Sequence, residues 1–152
     1  MTSAAGEGLL HPVPLVAIAL LVLNDHLFKE MFHNGVTGKL SDFAGMAFFP
    51  LVLQGLFEGA LSVLRRPWRP SRRVLISCAV ATAVFFSGVQ LAPPITEFYR
   101  WSLGLLQWPV VALNAGSWVP VRPVQVWPDP TDLISVPAVG LAVWAGWSRA
   151  KN

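Results

Sequence analysis

The stretch VLISCAVATAVFFSGVQLA, residues 74–92, runs for nineteen positions without a charged side chain. A helix needs about 20 mostly apolar residues to cross a bilayer, with about 17 as the lower limit. This segment meets that length with no assistance. It is rich in β-branched and small residues, carries no proline, and is flanked on its N-terminal side by Arg72 and Arg73. The natural reading is a membrane-spanning helix, and the rest of the chain is read outward from it.

Other charge-poor windows lie on both sides. Phe43–Leu64 spans the bilayer if one acid, Glu58, is tolerated near its end. The N-terminal run is long enough if the helix begins near Pro12 and continues past Asn24 to about residue 28. Thr131–Trp147 is short, but sufficient with interfacial flanks. The whole 152-residue chain agrees with these windows: 12% of residues are charged and 54% are apolar. Soluble domains carry about 25% charged residues. The same figures exclude intrinsic disorder, and a single cysteine, Cys78, excludes a disulfide scaffold.

The window Trp101–Val121 is different. Pro109 interrupts it, and Gln107, Asn114, Gly116 and Ser117 dilute it. From residue 95 to 108, Glu97, Arg100, Gly104 and Gln107 recur at helical spacing, with Phe98, Trp101, Leu105 and Trp108 on another face. This predicts an amphipathic helix lying in the membrane interface. A tilted, proline-kinked fifth span is the alternative. The expected fold is therefore an all-α membrane protein in one domain. It has four transmembrane helices in a bundle, at about 12–28, 43–64, 74–92 and 131–147, plus an amphipathic interfacial helix on the outer face.

Basic residues orient the bundle. Arg65, Arg66, Arg69, Arg72 and Arg73 crowd the loop before the third span, and Arg149 and Lys151 follow the fourth. Four spans place both clusters on one side, which the positive-inside rule makes cytoplasmic, together with both termini. The opposite side then carries four basic residues against six acids. Trp101, Trp108, Trp118 and Trp127 fall in the outer segment, and Trp144 and Trp147 near the inner end of the last span, as in interfacial aromatic belts. No basic residue precedes the first apolar run and no small-x-small site follows it, so the first span is expected to be retained rather than cleaved.

A weak repeat is visible. Ser41-Asp42-Phe43 precedes Pro50, and Thr131-Asp132-Leu133 precedes Pro137. Shared capping chemistry explains it equally well. Ser41 and Thr131 are good N-caps, and Asp42 and Asp132 suit the positive end of a helix.

The densest polar cluster is Asn24-Asp25-His26, Lys29-Glu30, His33 and Thr37-Gly38-Lys39-Leu40-Ser41-Asp42. Structural roles account for much of it: Asp25 and Lys29 at i, i+4 suit a helix ion pair, and Asn34-Gly35 and Thr37-Gly38 are turn signals. A functional reading starts from depth. Ionisable groups at the apolar boundary are costly unless they face the bundle interior or a wet cavity. Asn24, Asp25, Lys39, Asp42 and Asp132 are therefore the candidate ligand-binding residues of one outward-facing polar site. His26, Glu30 and His33 share a helix face and are acceptable zinc ligands, but no recognised metal spacing is present, and no metal or cofactor is expected.

Nucleophile, phosphate-loop and dinucleotide motifs are absent from the sequence, and Cys78 lies in an apolar helix. Glu58 reads either as a proton or ion site or as a side chain reaching Arg65 or Arg66 at the inner interface. The inner arginines serve as topology determinants, and no nucleic-acid partner is expected. Gly55-x-x-x-Gly59 and the stripe of Ala79, Ala83 and Ser87 have the spacing that lets membrane helices approach closely, within the chain or across a homo-oligomer or a membrane-protein partner.

Taken together, N-D-H at 24–26, T-G-K-L-S-D-F-A-G at 37–45, Tyr99-Arg100, Trp108-Pro109 and D-P-T-D-L at 129–133 resemble a family of small bacterial multi-pass inner-membrane proteins without an assigned activity. The resemblance implies a bacterial inner-membrane location and groups Asp25, Lys39, Asp42 and Asp132 in one motif set. It supplies no mechanism. The expected role is binding of a polar or charged ligand or lipid head group. A membrane enzyme acting on a lipid or envelope precursor, and a structural subunit of a membrane complex, are the alternatives.

Overall fold

The computed structural model describes residues 6–24, 35–64 and 71–150. These residues are helical throughout apart from turns and one extended connection, with no strand among them. A 3₁₀ turn at Glu7–Leu10 leads into α1 (Pro12–Leu23); α2 (Gly35–Leu64), α3 (Arg72–Leu91) and α4 (Pro93–Ala115) follow. A 3₁₀ segment at Pro130–Ala138 passes directly into α5 (Val139–Trp147). Two compact units are present. The first runs to Val84 and resumes at Ile134; the second is Phe85–Leu133.

In the first unit, α1 begins where the chemistry favours it. His11 Nδ1 accepts from the Val13 N–H at 3.2 Å, and proline occupies the first turn. The helix packs on α2 through small residues: Ala17 meets Ala44 and Ala47, with Leu21 and Phe48 closing the seam. Small side chains allow this close approach, which substitutes for hydrophobic drive when the surroundings are apolar. A second cluster joins Leu51 of α2, Leu75 of α3, and Ala142, Ala145 and Ala150 at the C-terminal end, with Leu9, Val13 and Val143 around it.

The N-terminal turn is held by a backbone-to-backbone approach. Gly6 takes φ +75°, a left-handed conformation that glycine tolerates, and a Cβ on Gly55 would stand 3.1 Å from Gly6 Cα. Gly55 is thus covered within the chain by the N-terminal turn, and not by the Ala79–Ala83 stripe. Among the described residues, nothing beyond the helix's own backbone lies within 4 Å of a Cβ on Gly59.

In the second unit, α4 starts on Pro93-Pro94 and stops at Gly116 in the left-handed conformation. The chain then returns along α4. A Cβ on Gly104 would fall on the Arg122 carbonyl, so only glycine lets this segment approach. Trp108 Nε1 donates to Val119 O at 2.6 Å, Arg100 Nε to Val124 O at 3.0 Å, and Val124 N–H to Arg100 O at 3.1 Å.

Among the described residues, two helices, Thr37–Leu64 and Arg72–Leu91, are long and apolar enough to cross a membrane. Only 28% of the relevant window is buried in each. Leu56, Phe57, Val63, Val80 and Val84 are exposed. Helices forming the core of a soluble protein bury such residues.

Several expected boundaries are corrected. The second helix starts at Gly35, eight residues before position 43, so Ser41 is an interior residue and not an N-cap. Thr131 is not a cap either: its N–H and hydroxyl both donate to Asp129 Oδ1 at 2.8 Å, which makes Asp129 the capping side chain. The fourth expected span is no single α-helix, since the chain winds as 3₁₀ over Pro130–Ala138, which includes Pro137. The amphipathic helix is 23 residues long and continues through Pro109 to Ala115. Its polar stripe is not uniformly wet, because Gly104 is buried under the returning segment, while Phe98, Trp101 and Leu105 are exposed. The first expected span is described as far as Asn24; residues 25–28 lie outside the described residues.

Candidate functional site

Asn24 ends α1 and is fully buried. Its Nδ2 donates to Thr37 O at 2.6 Å and to Ser41 Oγ at 2.7 Å, both on the first turns of α2. Thr37 and Ser41 are i, i+4, so they stack on one helix face and present an acceptor pair to the amide. A carbonyl oxygen only accepts, which fixes the orientation of the Asn24 amide. Oδ1 is then left buried without a hydrogen-bond partner among the described residues. Leaving such an acceptor unsatisfied costs about 1–3 kcal/mol. Buried polar groups normally find a partner, so this atom marks a place where a donor fits.

Lys39 and Asp42 are half-buried on the same early turns of α2 and stand at i, i+3, neighbours on the helix surface. Both engage other groups. Asn24, Lys39 and Asp42 therefore lie at one end of the α1–α2 pair. Asp25, with His26, Lys29, Glu30 and His33, lies outside the described residues. Asp132 is half-buried in the 3₁₀ segment and belongs to the second unit, where its N–H donates to Asp129 O at 2.9 Å. Thr37 and Ser41 were read from sequence as turn and cap. Their part in holding Asn24 depends on the α1–α2 contact, for which no local sequence signal exists.

Glu58 occupies a second buried polar place, at the other end of α2. It is 2% exposed. Gln54 Nε2 donates to its Oε1 at 2.6 Å, and the Gly6 and Ser71 backbone stands close enough to favour the charged carboxylate. Arg65 and Arg66 lie outside the described residues, whereas Arg149 lines the space beside Glu58 and donates to Glu7 O at 2.9 Å. That space, about 10 Å³, is close to the minimum that admits one water. The surroundings suit a structural carboxyl that gathers the N-terminal turn, α2 and the start of α3. Arg72 reinforces this end: it donates to Ala150 O at 3.1 Å and stacks over Trp147 at 4.6 Å.

No protein-family model matches the chain, and no curated protein or solved structure matches it. Among the described residues no group of three or more His, Cys, Asp or Glu side chains is placed to hold a metal ion.

Proposed function

We propose that this chain is a small multi-pass membrane protein that binds a polar or charged ligand, or a lipid head group, at an outward-facing site. The site is built on Asn24, Asp25, Lys39 and Asp42. The observation that carries the reading is the buried Oδ1 of Asn24, unpartnered among the described residues, at the end of α2 that also carries Lys39 and Asp42. A ligand contributing a donor there relieves a desolvation cost that no described residue offsets. Lys39 and Asp42 supply both signs of charge at the rim.

The membrane part of the proposal rests on the two long, mostly exposed apolar helices. The flanking arginines favour cytoplasmic termini and four crossings, and the motif resemblance favours a bacterial inner membrane. The test is native mass spectrometry of the purified protein in mild detergent. The wild type should carry a polar adduct that Asp42→Asn and Lys39→Gln lose while retaining their helical circular dichroism. Identical adducts in all three proteins would remove the site from consideration.

A structural-subunit role is the second reading, favoured by the open Cβ position at Gly59. It predicts that Gly59→Leu abolishes function while Asp42→Asn does not.

A further inference from the structure

The second unit holds a cleft that the site above does not use. It opens where α3 ends and α4 begins, and its volume is about 250 Å³. Gln90, Glu97 and Arg100 supply its polar groups, and Pro93, Val126 and Pro128 its apolar walls.

Each of these polar groups is held by a protein hydrogen bond and keeps further bonding capacity. Gln90 Oε1 accepts the Asp129 N–H at 2.9 Å. A backbone N–H only donates, so the amide orientation is set and the two Nε2 hydrogens have no acceptor among the described residues. Arg100 uses Nε on Val124 O and Nη1 on Glu97 Oε1, the latter at 2.5 Å. Three of its five N–H donors remain. Glu97 is 54% exposed, and its second oxygen has no partner among the described residues. Thr96 is satisfied by Val89 O at 2.7 Å and forms part of the wall.

Among the described residues, Gln90 and Arg100 therefore keep unpaired donors and Glu97 an unpaired anionic acceptor, with a net charge of zero on the Glu97–Arg100 pair. A simple anion gains Arg100 and meets Glu97. A simple cation has the opposite difficulty. A group carrying both charges on a short linker satisfies each side. We infer that this cleft binds a zwitterionic phosphate ester bearing a primary ammonium, of the phosphoethanolamine type. The phosphate oxygens accept from Gln90 Nε2 and Arg100 Nη2, and the ammonium donates to Glu97. A quaternary ammonium cannot make that last bond.

Depth favours a lipid as the source. The cleft lies at the end of Arg72–Leu91, a 20-residue helix whose length of about 30 Å matches the hydrocarbon core of a bilayer. Exposed Trp127 and Trp118 belong to the same unit, as expected at head-group level. The lipid source rests on the membrane reading above, whereas the recognition of the zwitterion does not.

The full-length protein in detergent is titrated with short-chain phosphatidylethanolamine, phosphatidylcholine and phosphatidylglycerol, and separately with soluble phosphoethanolamine. Binding is followed by native mass spectrometry. The ethanolamine lipid should bind about tenfold more tightly than either other lipid, the worth of one charge-assisted hydrogen bond. Gln90→Glu keeps the acceptor for Asp129 and removes the donors, so it should weaken ethanolamine-lipid binding about tenfold. Glu97→Gln keeps an acceptor for Arg100 and removes the anion, so it should reverse the preference toward phosphatidylglycerol. Asp42→Asn, in the other site, should leave all of this unchanged. Equal binding of the three lipids together with no binding of phosphoethanolamine overturns the inference, and needs no variant to fold. An unchanged preference in a folded Glu97→Gln protein also overturns it. Binding of phosphoethanolamine without lipid selectivity upholds the recognition and assigns a free phosphate ester as the source.

Discussion

Replacing Gly104 with alanine tests how the second unit is held together. A Cβ at this position lands on the Arg122 carbonyl and approaches Pro123 Cα to 3.3 Å. Both neighbours are backbone, so no side-chain rotation relieves the overlap. Either the overlap is absorbed as strain or the returning segment leaves α4. Overpacking of this kind costs about 1–3 kcal/mol. Detachment gives up the Trp108–Val119, Arg100–Val124 and Val124–Arg100 hydrogen bonds. Two are neutral, each contributing about 0.5–1.5 kcal/mol, and the guanidinium bond contributes about 1.5–3 kcal/mol. Detachment therefore costs about 2.5–6 kcal/mol, so absorbed strain is the cheaper route and sets the penalty, about 2 kcal/mol at the middle of its range. That energy corresponds to about a thirtyfold change in a local opening equilibrium. Amide hydrogen exchange reads it directly at Val124, whose N–H donates to Arg100 O. In Gly104→Ala the Val124 amide should exchange about thirtyfold faster, while amides of α1 keep their protection. Wild-type protection at Val124 in the variant would show that Gly104 is not what admits the returning segment.

Leu51→Ala empties the centre of the cluster formed with Leu75, Ala142 and Ala145, and should cost about 2–5 kcal/mol in denaturant unfolding in detergent; an unchanged midpoint would refute this packing. Asn24→Asp sets a second oxygen against Thr37 O in place of the donor at 2.6 Å, so its melting should show about 1–3 kcal/mol of destabilisation. Gly55→Ala presses a methyl toward Gly6 Cα, whereas Gly59→Ala meets nothing; limited proteolysis should release the N-terminal turn faster in the first variant only. Ser117→Cys, in a Cys78→Ala background, should react with an impermeant maleimide from outside intact cells, and Arg69→Cys only after permeabilisation.

Parts of this architecture are legible in the sequence and parts are not, for identifiable reasons. The third helix was expected at 74–92 and occurs at Arg72–Leu91, because an uninterrupted apolar run at spanning length leaves few alternatives. The start of α2 was misread. Thr37, Gly38, Ser41 and Asp42 have low helix propensity and resemble a turn followed by a cap. Their helical state depends on tertiary contact, including the bonds from Asn24. Pro109 was read as a break, yet a proline removes a single intrahelical bond and α4 continues past it. At the candidate site, depth alone singled out Asn24, Lys39 and Asp42. The unpaired Oδ1 is a property of packing and has no sequence signature. The Glu97–Arg100 pair was visible as an i, i+3 spacing, but Gln90 joins it only through the fold.

The 3₁₀ winding of Pro130–Ala138 has a consequence for how long the last helical segment is. A 3₁₀ helix rises about 2.0 Å per residue and an α-helix about 1.5 Å. The nine residues of Pro130–Ala138 and the nine of Val139–Trp147 thus have a combined contour of about 32 Å. A purely α-helical segment needs about 21 residues to cover the same distance. Counted in residues, this stretch looks about two short of a bilayer; measured in ångströms, it is not short.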